Sequence, residues 1–175
     1  MTNPGLNIKD QKRRGEWAEL RFMARASELG MTVTRPWGDS AHYDLIAESD
    51  GCRLRIQVKS STCRRNNSYF CNLRGANHRY TKDDFDFLAA YIVPLDLWYV
   101  IPSDAAISGR DKLCLTPESP KNKYQSYREA WHLLKEKRCS VTANDADLCF
   151  RRGCQGRLTQ GAAGTSPSAP TKLSS

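Results

Sequence analysis

The strongest constraint on the fold is a hairpin written into residues 43–60. Arg53 to Ser60 alternates, with Leu54, Ile56 and Val58 on one side and Arg53, Arg55, Gln57 and Lys59 on the other. That is the period of a strand with one face on a core. Tyr43 to Glu48 reads as a preceding strand, and Asp50-Gly51 between the two is a strong two-residue turn signal. A turn of that length fixes the pairing. Leu45 falls opposite Ile56, Ala47 opposite Leu54, Asp44 opposite Gln57, Ile46 opposite Arg55, Glu48 opposite Arg53, and His42 opposite Lys59. Directly opposed residues share a face. Leu45, Ala47, Leu54 and Ile56 therefore form one apolar face, while Asp44, Gln57 and Lys59 project together from the other. A slip of one residue would bury Gln57 and Lys59 and wet the apolar set, so this register is expected to hold.

Other elements can be set around the hairpin. Residues 10–29 read as a helix with Leu20, Met23, Ala24 and Ser27 on one stripe and Gly30 as its stop. Met31 to Arg35 favours a strand closed by Pro36. Tyr69 to Leu73 is a short strand, Asp86 to Val93 and Leu97 to Ile101 are apolar enough for central strands, and Lys112 to Thr116 suits an edge. Tyr124 to Lys137 reads as a second helix, with Tyr127, Ala130, Trp131 and Leu134 on one face. Helix, strands, helix predicts an α/β fold built on a mixed sheet. The longest apolar run, Phe87 to Val93, is far short of the roughly 20 residues that cross a bilayer. With no apolar leader, a cytoplasmic location and no membrane partner are expected. Seven cysteines, an odd number, read as reduced thiols. Cys52, Cys71 and Cys114 are expected to be buried small hydrophobes, and Cys139, Cys149 and Cys154 lack a zinc spacing. The folded domain is expected over 8–138. Residues 139–152 form an ambiguous extension, and 153–175, poor in large apolar side chains, read as a disordered tail.

Charge narrows the class of partner. The chain carries a net charge of +8. Its excess is focused between Arg53 and Lys82, where eight basic residues stand with no acidic one. A solvated surface would account for that run, but its length and purity of sign favour a phosphate-facing surface. Arg55, Arg64, Arg65, Arg74 and Arg79 are candidate phosphate contacts, and Asn66 and Asn67 candidate readers of base edges. Tyr69 and Phe70 can stack on bases or belong to the core. The polar stretch Thr62–Ser68 is the candidate loop facing nucleic acid.

The shared face of the hairpin suggests chemistry. A carboxylate and a carbonyl oxygen are hard ligands that suit Mg²⁺. Such an ion polarises a phosphoryl oxygen and lowers the pKa of a bound water. A lysine beside it can stabilise charge building on phosphorus. The plainer alternative is that Asp44 ends a strand while Gln57 and Lys59 are solvated. Asp83, Asp84 and Asp86 could hold a cation, though capping a turn or strand end suits them better. Ser60 and Ser61 can contact phosphate or simply end the strand.

Three segments stand out together: Arg14-Gly15-Glu16-Trp17-Ala18-Glu19-Leu20, Tyr43-Asp44-Leu45-Ile46 and Ile56-Gln57-Val58-Lys59-Ser60. In order and spacing they resemble the PD-(D/E)XK nuclease superfamily, in its Gln-x-Lys subgroup that includes a group I intron homing endonuclease. Tyr80 to Leu88, Trp98 to Pro102 and Tyr127 to Trp131 extend the likeness, which covers about residues 12–134. The resemblance implies a restriction-endonuclease-like core, a mixed central β-sheet flanked by helices. It implies a DNA endonuclease using Mg²⁺, with Mn²⁺ as a substitute, on double-stranded DNA. Asp44 would be the main metal ligand, Gln57 a neutral ligand where most relatives have a second carboxylate, and Lys59 the catalytic lysine. Glu19 would be the helix carboxylate near metal, preferred over Glu16 for its distance from Gly15. Tyr43 stands where the motif often has proline. Cutting both strands needs two sites, so a homodimer or homotetramer is expected. The neutral Gln57 also allows a second reading, a weakly active or inactive nucleic-acid-binding module on the same fold.

Overall fold

The computed structural model describes residues 7–136, apart from 39, 76, 77 and 110. The expected extension and tail, and the end of the expected domain, lie outside the described residues. An 18-residue helix, α1 (Gln11–Glu28), comes first. Asp10 caps it, accepting a hydrogen bond from Arg13 N at 2.7 Å and satisfying one amide that the first turn leaves free. It ends before Gly30, whose φ of +83° suits a residue without Cβ. The buried stripe is Ala18, Phe22 and Ala26, not the expected Leu20, Met23, Ala24 and Ser27. Leu20 is 63% exposed. Both stripes have helical spacing, and aromatic packing decides between them. Phe22 meets Trp98 and Trp131 at 5.7 and 5.3 Å between ring centroids, so the larger burial wins.

The main sheet has five strands in the order β1-β2-β3-β6-β7. These are β1 (Thr32–Thr34), β2 (Leu45–Ser49), β3 (Cys52–Ser61), β6 (Phe87–Ile92) and β7 (Leu97–Pro102). β3 and β6 run parallel and the other neighbours antiparallel, so the sheet is mixed. The β2–β3 register is the one deduced from the turn, from Leu45 opposite Ile56 to Ser49 opposite Cys52. Asp50 and Gly51 supply the two positive φ values, 51° and 76°, that such a turn demands. Between β3 and β6 the chain makes a hairpin, β4 (Arg64–Arg65) and β5 (Ser68–Asn72). β8 (Lys112–Leu115) joins β5 to complete a separate three-stranded sheet.

Three layers result. α1 and the Trp131–Leu134 segment cover one face of the main sheet, over Leu45, Leu54, Ile56, Val58 and Tyr91. The small sheet covers the other, with Tyr69, Cys71, Leu113 and Leu115 against Leu88, Ala90, Tyr99 and Ile101. All of β6 is buried as a consequence. Cys114 is exposed, against expectation, because β8 turns Leu113 and Leu115 inward and alternation sends Cys114 out. Among the described residues Cys63, Cys71 and Cys114 are free thiols, and Cys52 is buried as expected.

The expected second helix is not continuous. A 3-10 turn (Gln125–Tyr127) is followed by a short helix, here α3 (Leu133–Glu136), with a four-residue α2 (Ser103–Ala106) earlier in the chain. Between the turn and α3 the chain pairs with β7 instead. Arg128 bridges Tyr99, and Glu129 N donates to Trp98 O at 2.9 Å. The Glu129 carboxylate accepts from Trp98 N at 2.7 Å and from Trp131 Nε1 at 2.8 Å. Backbone groups at a sheet edge need partners, and Glu129, at φ +48°, supplies them at the expense of the helix. Ala130, Trp131 and Leu134 are buried as expected. Among the described residues no helix is long and apolar enough to cross a membrane.

Candidate active site

β3 outruns β2, and the site lies where they part. Asp44 N donates to Ile56 O at 2.9 Å, continuing the ladder one residue beyond β2. Its carboxylate then accepts from Val58 N at 2.7 Å and from Gln57 Nε2 at 2.5 Å, both on Oδ2. A side chain thus takes the place of the next backbone acceptor, which fixes its direction. Gln57 is 2% exposed, so it is buried rather than lying on an open face. The reason is that both faces of the main sheet are covered. Its Nε2 faces Asp44, which leaves Oε1 as the atom available to a cation.

Lys59 lies two residues on along the same face and is half-buried. Its Nζ donates to Tyr80 Oη at 3.2 Å and stands 5.0 Å from that ring's centroid. Glu19 reaches the same place from α1, one turn before Phe22. Its Oε2 is buried without a hydrogen-bond partner among the described residues, although the Arg35 guanidinium lies 3.3 Å away as an ion pair. Burial first, and then the nearby Asp44 charge, push the Glu19 carboxyl above its ordinary range, against the pull of Arg35 and Lys59. Burial also raises Asp44, outweighing Val58, Lys59, Gln57 and Arg35, which favour its charged form. Two desolvated carboxylates, Glu19 raised further by the Asp44 charge and carrying an orphaned oxygen, form a donor set that a divalent cation fits. The neutral Gln57 contributes an oxygen but no charge.

These four side chains open on one cleft of about 870 Å³, with Arg14, Arg65, Arg74 and Lys112 on its rim. Glu16 is exposed and does not line it. The Thr62–Ser68 stretch is a hairpin rather than a loop, and Thr62, Cys63, Arg65 and Asn66 face the cleft. Asn66 and Asn67, at φ 47° and 62°, make its turn, a task that accounts for their type. Tyr69 is core, while Phe70 is partly exposed on the cleft wall.

Folding neutralises much of the basic run. Arg53 pairs with Glu48, Arg55 with Asp86, Arg64 with Glu118, Arg74 and Arg79 with Asp111, and Lys82 with Asp104. Among the described residues, Lys59 and Arg65 are the two of the eight without a carboxylate partner, and both line the cleft. Arg55 also donates to Asp83 O at 2.5 Å, which ties it to the sheet end. Asp84 and Asp86 serve local structure, Asp84 capping at Thr81 N and Asp86 accepting from Arg55 N. His42 does not pair with Lys59, because the β2–β3 ladder ends first; its ring stacks on His78.

Tyr80, Arg35, Arg14 and Lys112 were not singled out from the sequence. Arg14 had a signal, since it flanks Gly15 and Glu19 on one side of α1. Lys112 had none, because only its pairing with Asn72 brings it to the cleft.

Residues 9–134 match the family described as PD-(D/E)XK endonuclease. Among solved structures, the bacterial homing endonuclease I-Ssp6803I is similar at 34% identity and a TM-score of 0.63, over 71% of this chain and 91% of that one. The Holliday junction resolvase Hjc of the archaeal hyperthermophile Archaeoglobus fulgidus is similar at 15% identity and a TM-score of 0.45, over 65% and 88% respectively. No curated protein sequence matches significantly.

Proposed function

Because the chain belongs to the PD-(D/E)XK endonuclease family, we propose that it is a divalent-metal-dependent DNA endonuclease acting through Glu19, Asp44, Gln57 and Lys59. The observation that carries this reading is the convergence of those four side chains on one cleft, with two carboxylates raised in pKa. Asp44, Gln57 Oε1 and Glu19 would hold the cation, Mg²⁺ or in its place Mn²⁺, which supplies Lewis-acid charge beside the scissile phosphate. Lys59, steadied by Tyr80, holds a non-bridging phosphate oxygen and stabilises its growing charge. Glu19 and Lys59 orient a water for in-line attack on phosphorus, and the bond to the 3′ oxygen breaks. Arg65, which has no carboxylate partner among the described residues, holds a flanking phosphate of the duplex. The similarity to a homing endonuclease at 34% identity favours homing over restriction or repair. A homodimer or homotetramer would present two such sites to the two strands.

Cleavage of supercoiled plasmid tests the reading. Nicked and linear products are expected with Mg²⁺ or Mn²⁺ and none with a chelator. Asp44→Asn and Lys59→Ala are each expected to lose about 100-fold or more. Variants that cleave as well as wild type would sink the site. Salt-dependent DNA binding without any cleavage would favour the inactive binding module instead. Light scattering that finds only monomer, free and on DNA, would refute the oligomer. Cleavage mapping on a randomised DNA library identifies the target.

A further inference from the structure

A second cluster of ligating side chains lies outside the cleft. His78 Nε2 sits 2.8 Å from Asp84 Oδ2, and the His42 ring stacks on that of His78 with 4.2 Å between centroids and 19° between planes. One ligand atom from each of the three residues lies within 4.8 Å of the others. Two segments meet here, residue 42 ahead of β2 and the turn that leads into β6. None of the three lines the cleft.

The turn is prepared for this geometry. Thr81 N and Thr81 Oγ1 donate to Asp84 Oδ2 at 2.6 and 3.0 Å. Burial raises the Asp84 carboxyl, but the bonds from Thr81 and His78 outweigh it and leave the group lowered and anionic. Among the described residues every bond to this carboxylate falls on Oδ2, which leaves Oδ1 open. His42 is exposed, and its ring already lies against that of His78.

We propose that His42, His78 and Asp84 form a binding site for a divalent transition metal of the zinc class, separate from the Asp44 cleft. Two imidazole nitrogens and one carboxylate are the donors that such borderline ions prefer, whereas Mg²⁺ selects all-oxygen sites. Three protein ligands leave a position open to water. A bound ion ties the 78–84 turn to the segment that leads into β2 at Leu45. Tyr80 lies inside that turn, with its ring 5.9 Å from His78 and its hydroxyl on Lys59.

The test uses the full ¹⁵N-labelled chain under reducing conditions, without DNA and with excess Mg²⁺, so that failure of the nuclease reading does not affect it. Zn²⁺ is added while long-range ¹H–¹⁵N spectra follow the three imidazoles. His42 and His78 are expected to shift and His132 to stay. In calorimetry one Zn²⁺ site is expected to weaken at least tenfold in His42→Ala and in His78→Ala, and to survive Asp44→Asn. His42→Ala alters an exposed side chain, so its fold is secure, and circular dichroism checks the other variants. Unmoved imidazoles, or Zn²⁺ binding that both histidine variants retain, would overturn the site and leave Asp84 as a turn cap. Binding lost in Asp44→Asn would overturn it too, since the ion would then belong to the cleft.

Discussion

Replacing Gln57 with glutamate probes the charge balance of the site directly. Gln57 Nε2 donates to Asp44 Oδ2 at 2.5 Å in a place that is 2% exposed. Gln57→Glu exchanges that donor for a second carboxylate oxygen. After side-chain relaxation, two such charges about 4 Å apart repel by about 4 kcal/mol at an effective dielectric of about 20. Proton uptake sets a ceiling. At about pH 8, protonating a glutamate of ordinary pKa, about 4.3, costs about 5 kcal/mol at about 1.36 kcal/mol per unit. The metal-free variant is therefore expected to lose about 4 kcal/mol at that pH, or about 8–16 °C in melting temperature for a chain of this size. The sign with pH follows from a folded-state pKa raised above the unfolded one. Near pH 4 the added group is largely protonated in both states and the loss shrinks; it grows as pH rises through the raised value. Mg²⁺ at about 100 times its Kd returns about 2.7 kcal/mol by mass action, more than in wild type, which binds it less tightly. Calorimetric melts at pH 4 and 8, with and without Mg²⁺, make the comparison. A metal-free variant that melts within about 2 °C of wild type at pH 8 would refute the reasoning, because the two side chains would then not be in contact.

Three further outcomes are expected. Glu19→Gln removes a carboxyl whose raised pKa contributes stability at low pH and loses it as pH rises, so the metal-free variant should melt higher at pH 8 with the gain fading toward pH 4. Loss of the exposed Arg35 ion pair, about 0–1 kcal/mol, opposes this, and a lower melt at pH 8 would show that the pair dominates. Arg65→Ala should reduce the slope of log binding constant against log salt by about 1, while Arg53→Ala, whose guanidinium already holds Glu48, should leave it unchanged; equal slopes would remove Arg65 from the DNA contact. Tyr80→Phe removes the hydroxyl that holds Lys59, worth about 1 kcal/mol, so kcat should fall about fivefold with DNA affinity and melting temperature near wild type. An unchanged kcat would leave Lys59 positioned without it.

The sequence alone determined the hairpin, its register and the meeting of Asp44 with Gln57. All three are local. A period of two, a two-residue turn and the rule that opposed residues share a face leave one solution. The series of strands was legible for the same reason, since each apolar run has a length and turn signals of its own. Tertiary structure decided everything that depended on a distant surface. α1 had two stripes of helical spacing, and the packing of Phe22 on Trp98 and Trp131 chose between them. The last helix was broken because Glu129 found β7, about 30 residues back in the chain, with unpaired backbone to satisfy. The acid-free run looked uniformly free to bind phosphate, yet Asp86, Asp104, Asp111 and Glu118, all beyond its end, neutralise much of it. Among the described residues, Lys59 and Arg65 are the members of the run left without a carboxylate partner, both at the cleft. A charge is spent by its nearest opposite in space, and proximity in space is what a one-dimensional string does not carry.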